Sequence, residues 1–186
     1  MGRPKLLLPW GKSSMLEHSI QQWSSLRASQ IGVVCAARPG PVHDELDRIH
    51  FPEASRIINL VPERGMFSSI GCAAAWTGWN AEIKHWVISL GDQPHVRGET
   101  LQALIDFATA NPDKICQPLR NDRRRHPVLL TEPAFRALKG CSFSDFKQFL
   151  ESRANELAGF ESDDAGLDFD IDTPEDYERA REFHFA

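Results

Sequence analysis

The sequence predicts a three-layer α/β/α protein, a mostly parallel sheet covered by helices on both faces. Three observations carry that expectation. Short β-branched runs alternate with stretches of helical periodicity, the rhythm that right-handed crossovers between parallel strands produce. The strand-like runs end in Gly, Pro and Asp turns, as in Arg38-Pro39-Gly40-Pro41 and Gly91-Asp92-Gln93-Pro94. A chain of 186 residues, 41% apolar and 25% charged, suffices for a single domain over 1–186 with a real core.

The elements follow in order. Ser13 and Ser14 are caps for a helix carrying Leu16, Ile20, Trp23 and Leu26, with Glu17 in its first turn. Ile31 to Ala37 reads as a buried strand, and a short helix through Leu46 and Ile49 leads to a strand from Arg56 to Val61. Gly65 to Trp76 is helical, with small residues suited to close packing. His85 to Pro94 is a strand running into a tight turn, and Thr100 to Ala110 is an amphipathic helix. Strands at 114–119 and 126–130 precede helices near Pro133 to Leu138 and Phe143 to Leu150. The segments 157–162 and 167–172 read as extended, and a last helix starts at Thr173.

The formal net charge of −5 argues against general nucleic-acid binding, which wants a basic face, while leaving room for one small anionic ligand. No stretch is long and apolar enough to span a membrane, and the first residues lack a signal peptide's apolar core. Cys35, Cys72, Cys116 and Cys141 are far apart and sit among apolar neighbours. They read as small core residues in a reducing, cytoplasmic setting rather than as a zinc or redox motif.

In parallel α/β folds ligands gather beyond the carboxyl ends of the strands, so the residues just after each strand are the ones to inspect. Asp92 sits there, placed either to hold Mg²⁺ or to cap a turn. Asp168, Asp170 and Asp172 alternate with Phe169 and Ile171, so the carboxylates share one side of an extended segment. Asp172, or Asp170, can share a cation with Asp92, although Asp172 also stands where a helix N-cap belongs. Arg120, Arg123, Arg124 and Arg125 read mainly as a solvated hairpin tip from which one or two reach a phosphate. His126 binds a ligand oxygen or satisfies a nearby carbonyl. Gly65, Ser68 and Ser69 at a helix start offer an anion or carbonyl site, or an ordinary cap. Lys5, between Pro4 and an apolar run, is the best single cation.

Assembled in order, these stretches resemble the MobA-like nucleotidyltransferases, and within them the molybdenum cofactor cytidylyltransferases. The resemblance runs through Met1-Gly2, Pro4-Lys5 and Leu7-Leu8-Pro9, then Gly65-Met66 with Ser68-Ser69. It continues through Gly91-Asp92-Gln93-Pro94 and His126-Pro127-Val128 to Asp170-Ile171-Asp172-Thr173-Pro174-Glu175-Asp176. It implies a Rossmann-like sheet of the nucleotide-diphospho-sugar transferase type and transfer of a nucleoside monophosphate to a phosphorylated acceptor. In the cytidylyl branch CMP moves from CTP to the molybdopterin phosphate and pyrophosphate leaves. By the same resemblance Asp92 and Asp172 hold Mg²⁺, and Lys5 and Asp92 are catalytic. Gly2, Arg3, Lys5, Gly91 and Asp92 bind the nucleotide. Gly65, Ser68, Ser69, Arg125 and His126 face the acceptor, and the implied recipient of the product is a molybdenum hydroxylase of the xanthine dehydrogenase class. Alternatives are a guanylyl- or sugar-phosphate nucleotidyltransferase of the same fold, or a non-catalytic carrier of the cofactor.

Two departures qualify the match. Arg125 stands where the family usually has Gly before His-Pro, so it either narrows the acceptor pocket or adds a phosphate contact. The family's opening strand and L-A-A-G-x-S-x-R loop have no counterpart before Met1. The expectations that follow are a sheet lacking its first strand, two unpaired strand edges, an apolar slot between them that another segment or a neighbouring molecule fills or that the sheet closes, and weak nucleotide binding with impaired activity.

Overall fold

The computed structural model describes residues 4–185, so Met1, Gly2 and Arg3 lie outside the described residues. A 3-10 turn over Lys5–Leu7 leads into a tight antiparallel hairpin of β1 (Pro9–Trp10) and β2 (Ser13–Ser14). Gly11 takes the first central position of its two-residue turn with φ of 64°, the left-handed position that such hairpins give to Gly. Helix α1 (Met15–Ser25) follows at once because the Ser14 hydroxyl accepts from the Glu17 amide.

Next come β3 (Val33–Ala36), α2 (Pro41–Arg48), β4 (Arg56–Asn59), α3 (Met66–Ala75) and β5 (His85–Ile88). The second half holds α4 (Gly98–Ala110), β6 (Ile115–Arg120), β7 (Arg123–Arg124) and β8 (Val128–Thr131). It ends with α5 (Glu132–Ala137), α6 (Phe146–Glu151), β9 (Leu157–Glu161) and α7 (Pro174–Phe185). Helix α4 starts where the buried Asp164 carboxylate accepts from the Arg97 amide and the Thr100 hydroxyl at 2.9 and 2.8 Å.

Strands β3 and β4 pair in parallel; β5, β8, β6 and β7 form a second sheet in that order, with β9 parallel to β6. Strands β5, β6 and β9 thus share one direction, and β8 runs against them. Side-chain alternation sorts the helices into two layers. Val33 and Cys35 face Leu16 and Leu46 of α1 and α2, and Val87, Cys116 and Leu129 face Leu104 and Ala108 of α4. On the other face Val34, Trp86, Ile115, Val128 and Leu130 meet α3, α5 and α6. There Phe135 stacks on Trp86 at 4.5 Å and 6°.

The expected alternation at 168–172 is present in burial, with Ile171 fully buried and its acidic neighbours exposed. The segment is not a strand, however. A 3-10 turn over Ala165–Asp168 leads into extended chain that pairs with no strand among the described residues.

The expected slot is present. Among the described residues no strand pairs with the second edge of β3 or of β5. Between those edges lies a cavity of 540 Å³ lined by Val33, Val34, Trp86, Val87 and Ile88, roofed by residues of α1 and α3. Unpaired edges are costly because their N–H and C=O groups want partners. Among the described residues no other segment enters the gap and the sheet does not close across it.

Candidate active site

The chemistry gathers where β5 ends and the chain passes through Asp92. Lys5 is fixed by its 3-10 turn, with the Leu8 amide donating to the Lys5 carbonyl at 3.0 Å. Leu6 beside it packs against Gly91, where a Cβ would sit 3.1 Å from Leu6 Cδ2. A Cβ at Gly91 would press only on the flexible end of Leu6, and the Gly91 φ lies outside the left-handed region that favours glycine.

From this turn the Lys5 ammonium reaches two carboxylates at once. Its Nζ lies 2.6 Å from Asp92 Oδ2 and 3.1 Å from Asp172 Oδ1, and 3.3 Å from the Ile171 carbonyl. Partial burial works against the charge, but hydrogen bonding and attraction to Asp92, then to Asp172, hold the Lys5 pKa above its ordinary value.

Asp172 is available for this contact because Thr173 does the capping. The Thr173 hydroxyl accepts from the Asp176 amide at 3.1 Å, and the Asp176 carboxylate accepts from the Thr173 amide at 3.0 Å and its hydroxyl at 2.7 Å. This reciprocal pair is a capping box, so the expected cap role of Asp172 falls to its neighbour.

His95, which the sequence reading passed over, joins the two acidic segments. It is 0% exposed, its Nε2 donates to the Phe169 carbonyl at 3.2 Å, and its ring meets Phe169 edge-on. Burial lowers its pKa, so the neutral ring ties the turn after Asp92 to the approach to Asp172. Nothing in "GDQPHV" marks that role, since the partner is 74 residues away.

The Gly65–Ser69 stretch opens α3, with Gly65 at φ of 85° as N-cap. Ser69 and Met66 line the same cavity as Leu6 and Gly91, which brings this segment to the end of β5. A second residue missed in the sequence, the buried Asn59 at the end of β4, organises it. Its amide donates to Ser68 Oγ at 2.8 Å and Ser69 Oγ at 3.0 Å, while its Oδ1 accepts from the Val61 amide. The Ser68 hydroxyl donates to the Gly65 carbonyl at 2.8 Å. Among the described residues Ser69 Oγ accepts from Asn59 and donates to no protein group.

His126 lies with Nδ1 3.5 Å from the Ile88 carbonyl, the carbonyl-satisfying role that was one of its two expected readings. Burial lowers its pKa, against the smaller pull of Ile88, Asp92 and Asp170. The Arg125 guanidinium pairs with Asp168, which also accepts from Arg120 Nε at 2.8 Å and Asn121 at 3.3 Å. Arg123 and Arg124 are the solvated hairpin tip, turned by Asn121 and Asp122 at positive φ.

The donor set fits a divalent cation that keeps waters and phosphate oxygens. Two carboxylate oxygens converge on the Lys5 ammonium, and one or two carboxylates are what Mg²⁺ takes from a protein. Among the described residues no group of three or more His, Cys, Asp or Glu could hold a metal alone. No described helix is long and apolar enough to cross a membrane.

The profile of the MobA-like NTP transferase domain matches residues 1–156. The chain is 24% identical over 189 aligned positions to the molybdenum cofactor cytidylyltransferase of Escherichia coli K12, covering 98% of this chain and 89% of that one. A nucleotidyl transferase from Methanothermobacter superposes with a TM-score of 0.77 at 19% identity, covering 97% and 85% of the two chains. The manganese complex of Rv0371c from Mycobacterium tuberculosis superposes with a TM-score of 0.69 at 22% identity, covering 97% and 93%.

Proposed function

We infer, for a chain that belongs to the MobA-like NTP transferase family and so is a nucleotidyltransferase, that it moves CMP from CTP to the phosphate of molybdopterin. The observation that carries this reading is the convergence of Lys5, Asp92 and Asp172 at the end of β5. The cytidylyl choice and the acceptor draw on the relative from Escherichia coli.

The reaction is a displacement at the α-phosphorus. An acceptor phosphate oxygen forms the new bond while the bond to the bridging oxygen breaks and pyrophosphate leaves with its electron pair. Such a transfer needs positioning and charge neutralisation more than a protein nucleophile. A divalent cation, Mg²⁺ in this reading, held by Asp92 and Asp172 would supply charge neutralisation at the triphosphate. Lys5 adds a second positive charge on the phosphate side, and His95 keeps the two carboxylates in register. Ser69 offers its hydroxyl hydrogen to an acceptor oxygen, with Asn59 holding the oxygen in place. His126, neutral beside Asp92, lines the acceptor side by hydrogen bonding and not by charge.

The test mixes the protein with Mg²⁺, molybdopterin and each NTP in turn, at millimolar nucleotide so that weak affinity does not hide turnover. Pyrophosphate is expected with CTP. Release with GTP and not with CTP would contradict the cytidylyl assignment.

A further inference from the structure

One ammonium between two carboxylates does more than offer a charge to a ligand. We propose that Lys5 is a built-in counter-ion that occupies the divalent-cation position, so that cation binding at Asp92 and Asp172 requires Lys5 to leave. This rests on the cation reading of that carboxylate pair and goes beyond it by making Lys5 a competitor at the same oxygens.

The observations are geometric. Lys5 Nζ contacts Asp92 Oδ2 at 2.6 Å and Asp172 Oδ1 at 3.1 Å, so the ammonium sits where a cation shared by those two oxygens would sit. The Ile171 carbonyl at 3.3 Å completes a three-oxygen seat for the ammonium. Two carboxylates brought together without a cation would repel; with Lys5 seated, the pair stays assembled. The seat is also escapable. Lys5 is 34% and Asp172 72% exposed in their side chains, so water can take over either contact, and a four-carbon stem lets the ammonium swing while its backbone stays in the 3-10 turn. Displaced from the seat, the ammonium remains within its tether's reach of the phosphates of an arriving nucleotide. Lys5 would then hold the site closed to bare cations and become a phosphate ligand when cation and triphosphate arrive together.

The test measures Mn²⁺ binding without nucleotide, by the loss of the free Mn²⁺ paramagnetic resonance signal, on the full chain. The forms compared are wild type, Lys5→Met, Asp92→Asn, Lys5→Met with Asp92→Asn, and Arg125→Met. Circular dichroism melts establish that each form is folded. Removing the competitor is expected to tighten Mn²⁺ binding about tenfold in Lys5→Met, on the scale of two solvent-accessible ion pairs. The added Asp92→Asn should abolish the gain. Arg125→Met deletes a charge from the same end of the sheet without touching the pair, and is expected to stay within about twofold of wild type. Equal affinity in wild type and Lys5→Met, with Asp92→Asn weaker, would overturn the competition while leaving the cation site standing. Equal tightening in Lys5→Met and Arg125→Met would overturn it too, as a general field effect. If Lys5→Met binds no better than its Asp92→Asn double variant, the cation reading itself falls, and the competition with it.

Discussion

Asp172 and Thr173 are adjacent, and either could have been the cap of α7; the structure divides the roles, and two alanine variants test the division. Thr173→Ala deletes the hydroxyl that accepts from the Asp176 amide and donates to its carboxylate. Loss of such a cap costs about 1 kcal/mol, within a range of about 0.5–2. In a chain of this size that lowers Tm by about 2–4 °C. Asp172→Ala removes a side chain that is 72% exposed and whose ion pair among the described residues is with Lys5, so its stability cost belongs to surface ion pairs, about 0–1 kcal/mol. Its effect should fall on cation binding and turnover. Acid adds a second signature. Hydrogen bonds from the Thr173 hydroxyl, then its amide, hold Asp176 below its ordinary pKa of 3.8. A depressed carboxyl contributes stability above that value and loses it as pH falls through the folded pKa. The gap between wild type and Thr173→Ala should therefore narrow below pH 3.8. Urea melts at neutral and acid pH measure both effects. If Asp172→Ala proved the more destabilising variant and left Mn²⁺ binding intact, Asp172 would be a cap after all.

Three further outcomes follow from packing and hydrogen bonding. Phe135→Ala empties the space against Trp86 and should cost about 3–5 kcal/mol in a urea melt; a change within 1 kcal/mol of zero would mean the stack carries no stability. Asn59→Ala removes a buried amide that serves two half-buried serine oxygens and the Val61 amide, and should cost about 1–3 kcal/mol. It should also raise the KM for the acceptor more than it lowers kcat, and an unchanged KM would remove Ser69 from the acceptor side. Gly91→Ala meets only the flexible end of Leu6 and should keep most activity, whereas Gly91→Val pushes Leu6 and its neighbour Lys5 and should lose it. Equal activity in both would detach Gly91 from the placement of Lys5.

Local patterns were legible where the deciding interactions were local. The Ser14 cap, the core-facing residues of α1 and the strand at Val33–Ala36 depend on neighbours a few positions away, and the sequence reading found them. The extended stretch at 168–172 shows the limit. Its alternation was legible because burial of Ile171 sets it, but whether alternating residues join a ladder depends on a partner elsewhere in the chain. The reversed β8 among co-directional strands was hidden for the same reason. In the site, Lys5, Asp92 and Asp172 stood out as charges after turns or strands, and the structure brings them together across 167 positions of sequence. His95 and Asn59 were missed because nothing local distinguishes a buried, hydrogen-bonded polar residue from an exposed one. The pairing of Arg125 with Asp168 was not legible either, because the two lie 43 residues apart.

The most direct test of the central claim is pyrophosphate release from CTP in the presence of Mg²⁺ and molybdopterin, by wild type and Asp92→Asn side by side. The account predicts release by the wild type and a loss of at least about a hundredfold in the variant, the scale expected when a transition-state charge loses its stabilising group. Release by Asp92→Asn at the wild-type rate would contradict it, because the end of β5 would then not be where the phosphates react.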